Sequence, residues 1–123
     1  MAYDPEKCAE LLRLEAGLLL ERSGLAPTLH GYGQVHLTGS YALDLMAWRD
    51  VDIQLVLFEI WDPLDAFFAL GHQIAKQRGV IRMTFGNHLR KPAPKLPGGL
   101  YWGVRMINPD NGEEWTLDIW AVD

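Results

Sequence analysis

The chain has 123 residues, of which 49% are hydrophobic and 22% charged, with a formal net charge of −5; this suits one compact α/β-sized domain with its own core and argues against a dedicated nucleic-acid binder, which needs a basic face. No run approaches the roughly 18 apolar residues of a transmembrane helix, so no membrane partner is expected. Cys8, the single cysteine, cannot form an internal disulfide or a zinc cluster, and Met1 to Lys7 lack the charged and apolar regions of a secretory signal, so the expected location is cytoplasmic.

Asp4-Pro5-Glu6 reads as an N-cap, a first-turn proline and an acidic first turn, and Gly24 as a stop. These predict a leucine-rich helix over residues 5–22, with Cys8, Leu11, Leu12, Leu18 and Leu19 facing the core. Pro27 and Gly31 to Gly33 break the chain. Val35-His36-Leu37-Thr38 then reads as a strand running into Gly39-Ser40. Glycine there permits close backbone approach, and a serine hydroxyl with the amides of a following helix can hold phosphate oxygens. His36 is either a hydrogen-bonded structural histidine or a neighbour of that turn. Tyr41 to Ala47 reads as a short helical stretch.

Asp50-Val51-Asp52-Ile53 opens the next strand. Val51, Ile53, Leu55 and Leu57 alternate with Asp50, Asp52, Gln54 and Val56, so one face packs on a core and the other presents acid. Residues i and i+2 lie on one face roughly 6.5 Å apart, close enough for both carboxylates to reach ions held between them. Their mutual repulsion is relieved by a divalent cation, and oxygen-only donors favour magnesium or manganese over zinc.

Asp62-Pro63-Leu64 opens a second helix running to about residue 78 and closed by Gly79, followed by a strand from Val80 to Phe85. Lys91 to Gly99, rich in proline and glycine, is a stiff loop. Tyr101 to Ile107 and Trp115 to Trp120 flank Asn108-Pro109-Asp110-Asn111-Gly112-Glu113, a strong hairpin turn. If Asn108 pairs with Glu113, Arg105 falls opposite Thr116 and Gly103 opposite Asp118. Gly103 would leave room for a substrate beside Asp118. Arg105 would orient a phosphate oxygen or pair with an acid. Asp118 alone also fits a solvated acid on an edge strand, and Trp120, on its face, fits either packing or stacking on a base or acceptor ring. Arg78, Arg82, His88, Arg90, Lys91, Lys95 and Arg105 gather as a basic wall for a triphosphate or as solvated loop charge.

Hydrophobic strand, Gly39-Ser40, short helix, Asp50-Val51-Asp52-Ile53 and a later Leu117-Asp118-Ile119 occur in one order over roughly residues 30–120. In this the chain resembles the nucleotidyltransferase superfamily typified by DNA polymerase beta, in its minimal, antibiotic-modifying branch. The resemblance implies an α/β nucleotidyltransferase fold, a mixed sheet of about five strands with helices packed against it, as a single domain over residues 1–123. It implies an enzyme that moves a nucleoside monophosphate from a nucleoside triphosphate, ATP first, to a hydroxyl of a small molecule or protein. Asp50, Asp52 and Asp118 would bind two Mg²⁺ ions, with Mn²⁺ as a substitute, Asp118 would assist the acceptor, and Gly39, Ser40 and Arg105 would contact the nucleotide. The chain stops before the C-terminal helical domain of many members, which implies a homodimer or a helical partner protein. The alternative is an antitoxin-like or non-catalytic partner-binding module.

Overall fold

A computed structural model describes residues 4–38, 48–89 and 99–122. Helix α1 spans Pro5–Arg22, with the Asp4 carboxylate accepting from the amides of Glu6 and Lys7; the cap and the N1 proline set its start as the sequence predicts. A second helix, α2, spans Leu25–His30 where the sequence suggested only a break. Pro27 is tolerated because it occupies the first turn, whose amides have no intrahelical partner.

Strands β1 (Gly33–Thr38) and β2 (Asp50–Leu57) are followed by helix α3 (Pro63–Ala75), strand β3 (Val80–Asn87), and strands β4 (Leu100–Ile107) and β5 (Glu114–Val122). Asp62 caps α3 by accepting from the Asp65 amide, and the helix ends at Ala75, a turn earlier than the Gly79 stop suggested, with Lys76 as its cap.

The strands form one mixed five-stranded sheet in the order β1-β2-β5-β4-β3. β2 and β5 run parallel, and the other neighbours are antiparallel. The hairpin register matches expectation: Arg105 lies opposite Thr116, Gly103 opposite Asp118, and the Asn108 amide donates to the Glu113 carbonyl at 2.8 Å. The edge-strand reading of Asp118 does not hold, because β5 sits between β2 and β4. Sheet order is set by a pairing between residues more than sixty apart in sequence, which local patterning does not reveal.

One face of the sheet carries the core. Val51, Ile53 and Leu55 of β2, Trp102, Val104 and Met106 of β4, and Trp115, Leu117 and Ile119 of β5 pack with Leu12, Ala16 and Leu19 of α1, Leu25 and Leu29 of α2, and Phe67, Leu70 and Ile74 of α3. The α1 stripe differs from expectation: Leu11 and Leu18 are 59% and 51% exposed, and Ala9, Leu12, Ala16, Leu19 and Leu20 face inward. Leucines occur all round this helix, so periodicity could not select a face. The buried stripe includes two alanines, whose small side chains permit close packing.

Gly71 seats α3 on the sheet. A Cβ at this position would lie 2.4 Å from Trp102 Cζ2, and that indole is fixed by its Nε1 donating to the Phe67 carbonyl at 2.9 Å. Alanine gains about 1 kcal/mol of helix propensity over glycine, but overpacking a rigid ring costs about 1–3 kcal/mol. Gly71→Ala is therefore expected to destabilise the fold by roughly 1 kcal/mol net, read as a lower urea midpoint; an unchanged or raised midpoint would show that the ring yields.

Candidate functional site

The three described helices contribute to the core on one side, so residues of opposite parity share the other face. Asp52 and Asp118 are register partners across the parallel pair, and Asp50, partnered with Thr116, lies one step along. Adjacent strands are about 4.8 Å apart, which makes Asp52 and Asp118 near neighbours. On the other flank Thr38 is the partner of Asp52 and donates its hydroxyl to the Asp52 carbonyl at 3.3 Å. Gly39 and Ser40, the predicted phosphate-holding turn, lie outside the described residues, but the chain leaves β1 at the level of Asp52.

The start of β2 is pinned from behind. Arg49 Nε donates to Glu15 Oε2 at 3.0 Å, Asn111 Nδ2 donates to Glu15 Oε1 at 3.0 Å, and Trp115 Nε1 also donates to Glu15 Oε2. Burial alone would raise the Glu15 carboxyl, but the hydrogen bonds from Arg49 and Trp115, with the Arg49 charge, hold it below the usual carboxylate range. The Thr116 amide donates to the Arg49 carbonyl at 3.0 Å, which joins β5 to the residue before Asp50. Asp50 therefore enters the sheet at a register fixed by α1, the hairpin and β5 together.

Tyr101 is the site residue that sequence reasoning missed. Its Oη donates to Asp118 Oδ1 at 2.5 Å. The ring passes over Gly103, where a Cβ would meet Tyr101 Oη at 2.5 Å. The space beside Asp118 is thus taken by Tyr101, rather than kept for a substrate. Continuing the hairpin count by two pairs places Tyr101 opposite Trp120 on the acid-bearing face, so the signal was present. Trp120 is 8% exposed and covered by Tyr101 and His88, with ring centroids 4.7 and 5.2 Å away, which makes it packing rather than an open stacking surface. His36 is exposed on the same face, and its imidazole makes no hydrogen bond with a described residue.

Burial raises Asp52 above the usual carboxylate range, and the charges of Asp118 and Asp50 raise it further. Burial and then Asp118 do the same for Asp50. The Tyr101 phenol is pushed well up by burial and by its bond to Asp118, so it stays a donor at neutral pH. Among the described residues no cation forms an ion pair with any of the three acids. Arg105 is exposed two strands from Asp50 and pairs with none of them.

Among the described residues no group of three or more His, Cys, Asp and Glu side chains converges closely enough to hold a metal ion. The donor chemistry still fits one: the acids are oxygen donors, the charge of Asp118 raises the proton affinity of Asp50 and Asp52, and no described cation neutralises them. Such a set suits a hard divalent cation. A cavity of about 550 Å³ opens elsewhere, lined by Val56, Phe58, Trp61, Pro63, Leu89 and others at the far end of β2. None of the acids lines it.

No family model, curated protein or solved structure matches the chain. The fold class is mixed α/β, and no helix among the described residues is long and apolar enough to cross a membrane.

Removing one charge from the cluster should stabilise the cation-free protein. Asp52→Asn is expected to raise the unfolding free energy at pH 7 by roughly 0.2–1 kcal/mol, the range for relieving a like-charge cross-strand contact. Because the folded state raises Asp52 above its ordinary 3.8, the penalty is absent below that value and complete only above the folded one. The mutant's advantage should therefore shrink as pH falls through the folded value. Urea unfolding across that range in EDTA checks both sign and trend; a mutant less stable than wild type at pH 7 contradicts the assignment.

Proposed function

We propose that the protein has the nucleotidyltransferase fold and is a metal-dependent nucleotidyltransferase, moving a nucleoside monophosphate from a nucleoside triphosphate to a hydroxyl of a small molecule or protein. The observation that carries this reading is the parallel pairing of β2 with β5. It sets Asp52 beside Asp118, with Asp50 on the same face and Thr38, the last residue of β1, opposite Asp52.

Asp50, Asp52 and Asp118 would hold the divalent cations, magnesium first and manganese as a substitute. When bound, such ions neutralise the triphosphate and the leaving pyrophosphate and favour ionisation of the acceptor hydroxyl. Asp118, held by the Tyr101 phenol at Oδ1, would accept the acceptor's proton. The acceptor oxygen then bonds to the α-phosphorus as the α–β bridging bond breaks, and the electron pair leaves with pyrophosphate. Gly39 and Ser40 would bind the β- and γ-phosphates through backbone amides and the serine hydroxyl. Arg105, exposed and without an ion pair among the described residues, is available to a phosphate oxygen. The net charge of −5 favours a small-molecule or protein acceptor over nucleic acid.

A second reading, an antitoxin-like module that binds a helical partner, draws on one observation. Leu11, Leu14 and Leu18 form an exposed stripe along α1, at 59%, 60% and 51%. A catalytic chain with such a partner satisfies both readings, as does one that forms a homodimer through this helix.

Calorimetric titration of ATP and of GTP, each with magnesium and with EDTA, tests the proposal on wild type and Asp52→Asn. Magnesium-dependent binding that weakens by at least about tenfold in the mutant is expected, the order for a damaged metal site. Binding indifferent to magnesium or to Asp52, or none to either nucleotide, would overturn it.

A further inference from the structure

Strand β3 contains an irregularity with a specific consequence. Val80 is the partner of Met106, yet the next partner of β4, Arg105, faces Arg82 rather than Ile81. One extra residue is thus inserted in β3. Val80 and Met83 both pack against the core, so the bulge absorbs Ile81 and re-aims Arg82. Without it, Ile81 would be opposite Arg105.

The result costs free energy twice. Two guanidinium groups are placed directly across a strand pair, where like charges repel, and Ile81 is left 58% exposed. Neither guanidinium forms an ion pair or hydrogen bond with a described residue. Glu114, diagonal to Arg105 across the hairpin, does not pair with it either. Placing charge on an edge strand to deter aggregation explains Arg82 alone. It does not explain Arg105, which lies on an interior strand.

Both arginines lie on the acid-bearing face, in the row that runs through Thr116 to Asp50. At about 4.8 Å per strand, the Arg105 and Arg82 backbones stand about 10 and 14 Å from that of Asp50. Extended arginine side chains reach back over much of that gap. Guanidinium groups present fixed forks of N–H donors suited to phosphate oxygens, and a shared anion removes the repulsion between them.

We infer that Arg82 and Arg105 form a two-arginine clamp for the polyphosphate tail of the nucleotide, with Arg82 aimed by the β3 bulge. The identity of the anion rests on the function proposed above; the clamp itself rests on the register and the unpaired charges. Arg82 is a binding residue here, and the bulge at Ile81 is the device that positions it.

Inorganic tripolyphosphate, titrated calorimetrically at low ionic strength in EDTA, probes the clamp without base, sugar or metal. The same titration is run on Arg82→Gln, Arg105→Gln and Asp52→Asn, beside ATP with magnesium. Each arginine variant is expected to weaken tripolyphosphate binding by at least about tenfold, the order for losing a charge-assisted hydrogen-bonding group, while Asp52→Asn keeps it. Loss of the repulsion should leave Arg82→Gln at least as resistant to urea as wild type, so misfolding is distinguishable. Tripolyphosphate bound equally by wild type and Arg82→Gln, or not bound by wild type, overturns the clamp. Magnesium–ATP binding that needs Asp52 but ignores Arg82 overturns the clamp and leaves the transferase reading standing. Arg82-dependent tripolyphosphate binding without any Asp52-dependent nucleotide binding upholds the clamp and overturns that reading.

Discussion

The parallel pairing of β2 with β5 is the constraint on which the site depends. Asp52 and Asp118 are more than sixty residues apart in sequence and become neighbours only because these two strands lie side by side in one register. A slip of one residue would turn Val51, Ile53 and Leu55 to the open face and drive Asp50 and Asp52 into the core. Both strands are interior, flanked by β1 and β4, so a slip would also break the ladders on either side. The Glu15 network, which joins α1 to Arg49, Asn111 and Trp115, fixes the same register from the helical layer.

The energetics explain how repelling carboxylates are kept together. Val51, Ile53, Leu55, Leu117 and Ile119 are 1% exposed or less, and each such side chain contributes about 1.5–3 kcal/mol on burial. Repulsion between neighbouring acids is of order 1 kcal/mol or below once solvent screens it. The apolar face therefore decides the register, and the polar face accepts the consequence. Tyr101 relieves part of the strain by donating to Asp118, and Gly103 is the residue whose missing side chain lets the phenol cross to it.

Local chemistry was legible in the sequence, and non-local geometry was not. The β4–β5 register followed from turn residues and alternation, which operate over a few residues, and the bounds of α1 and β2 followed from a cap and a strict two-residue period. The inward face of α1 did not, because Leu11, Leu14 and Leu18 are as apolar as the leucines it buries. α2 was hidden by Pro27, whose helix-breaking character lapses in a first turn. The interior position of β5 depends on a parallel crossover through α3, β3 and β4, and no local pattern encodes that. Among the site residues, Asp50, Asp52 and Asp118 do come together on one face, whereas Arg105 stands two strands away. The role of Tyr101 depended on what its ring does above a glycine, a packing fact that strand alternation only permits.

Sheet order also bears on how a second chain would be met. On an edge strand the tryptophans of β5 would invite pairing, but Trp115 and Trp120 are buried on an interior strand. The actual edges are β1 and β3. β3 is interrupted by its bulge and carries an exposed arginine, two features that discourage an incoming strand, and β1 is only six residues long. The sheet therefore offers little for main-chain pairing. The leucines along the outer face of α1 are an uncovered apolar feature, and a partner that buried them would approach the helical layer, leaving the acid-bearing face on the opposite side of the sheet accessible to small ligands.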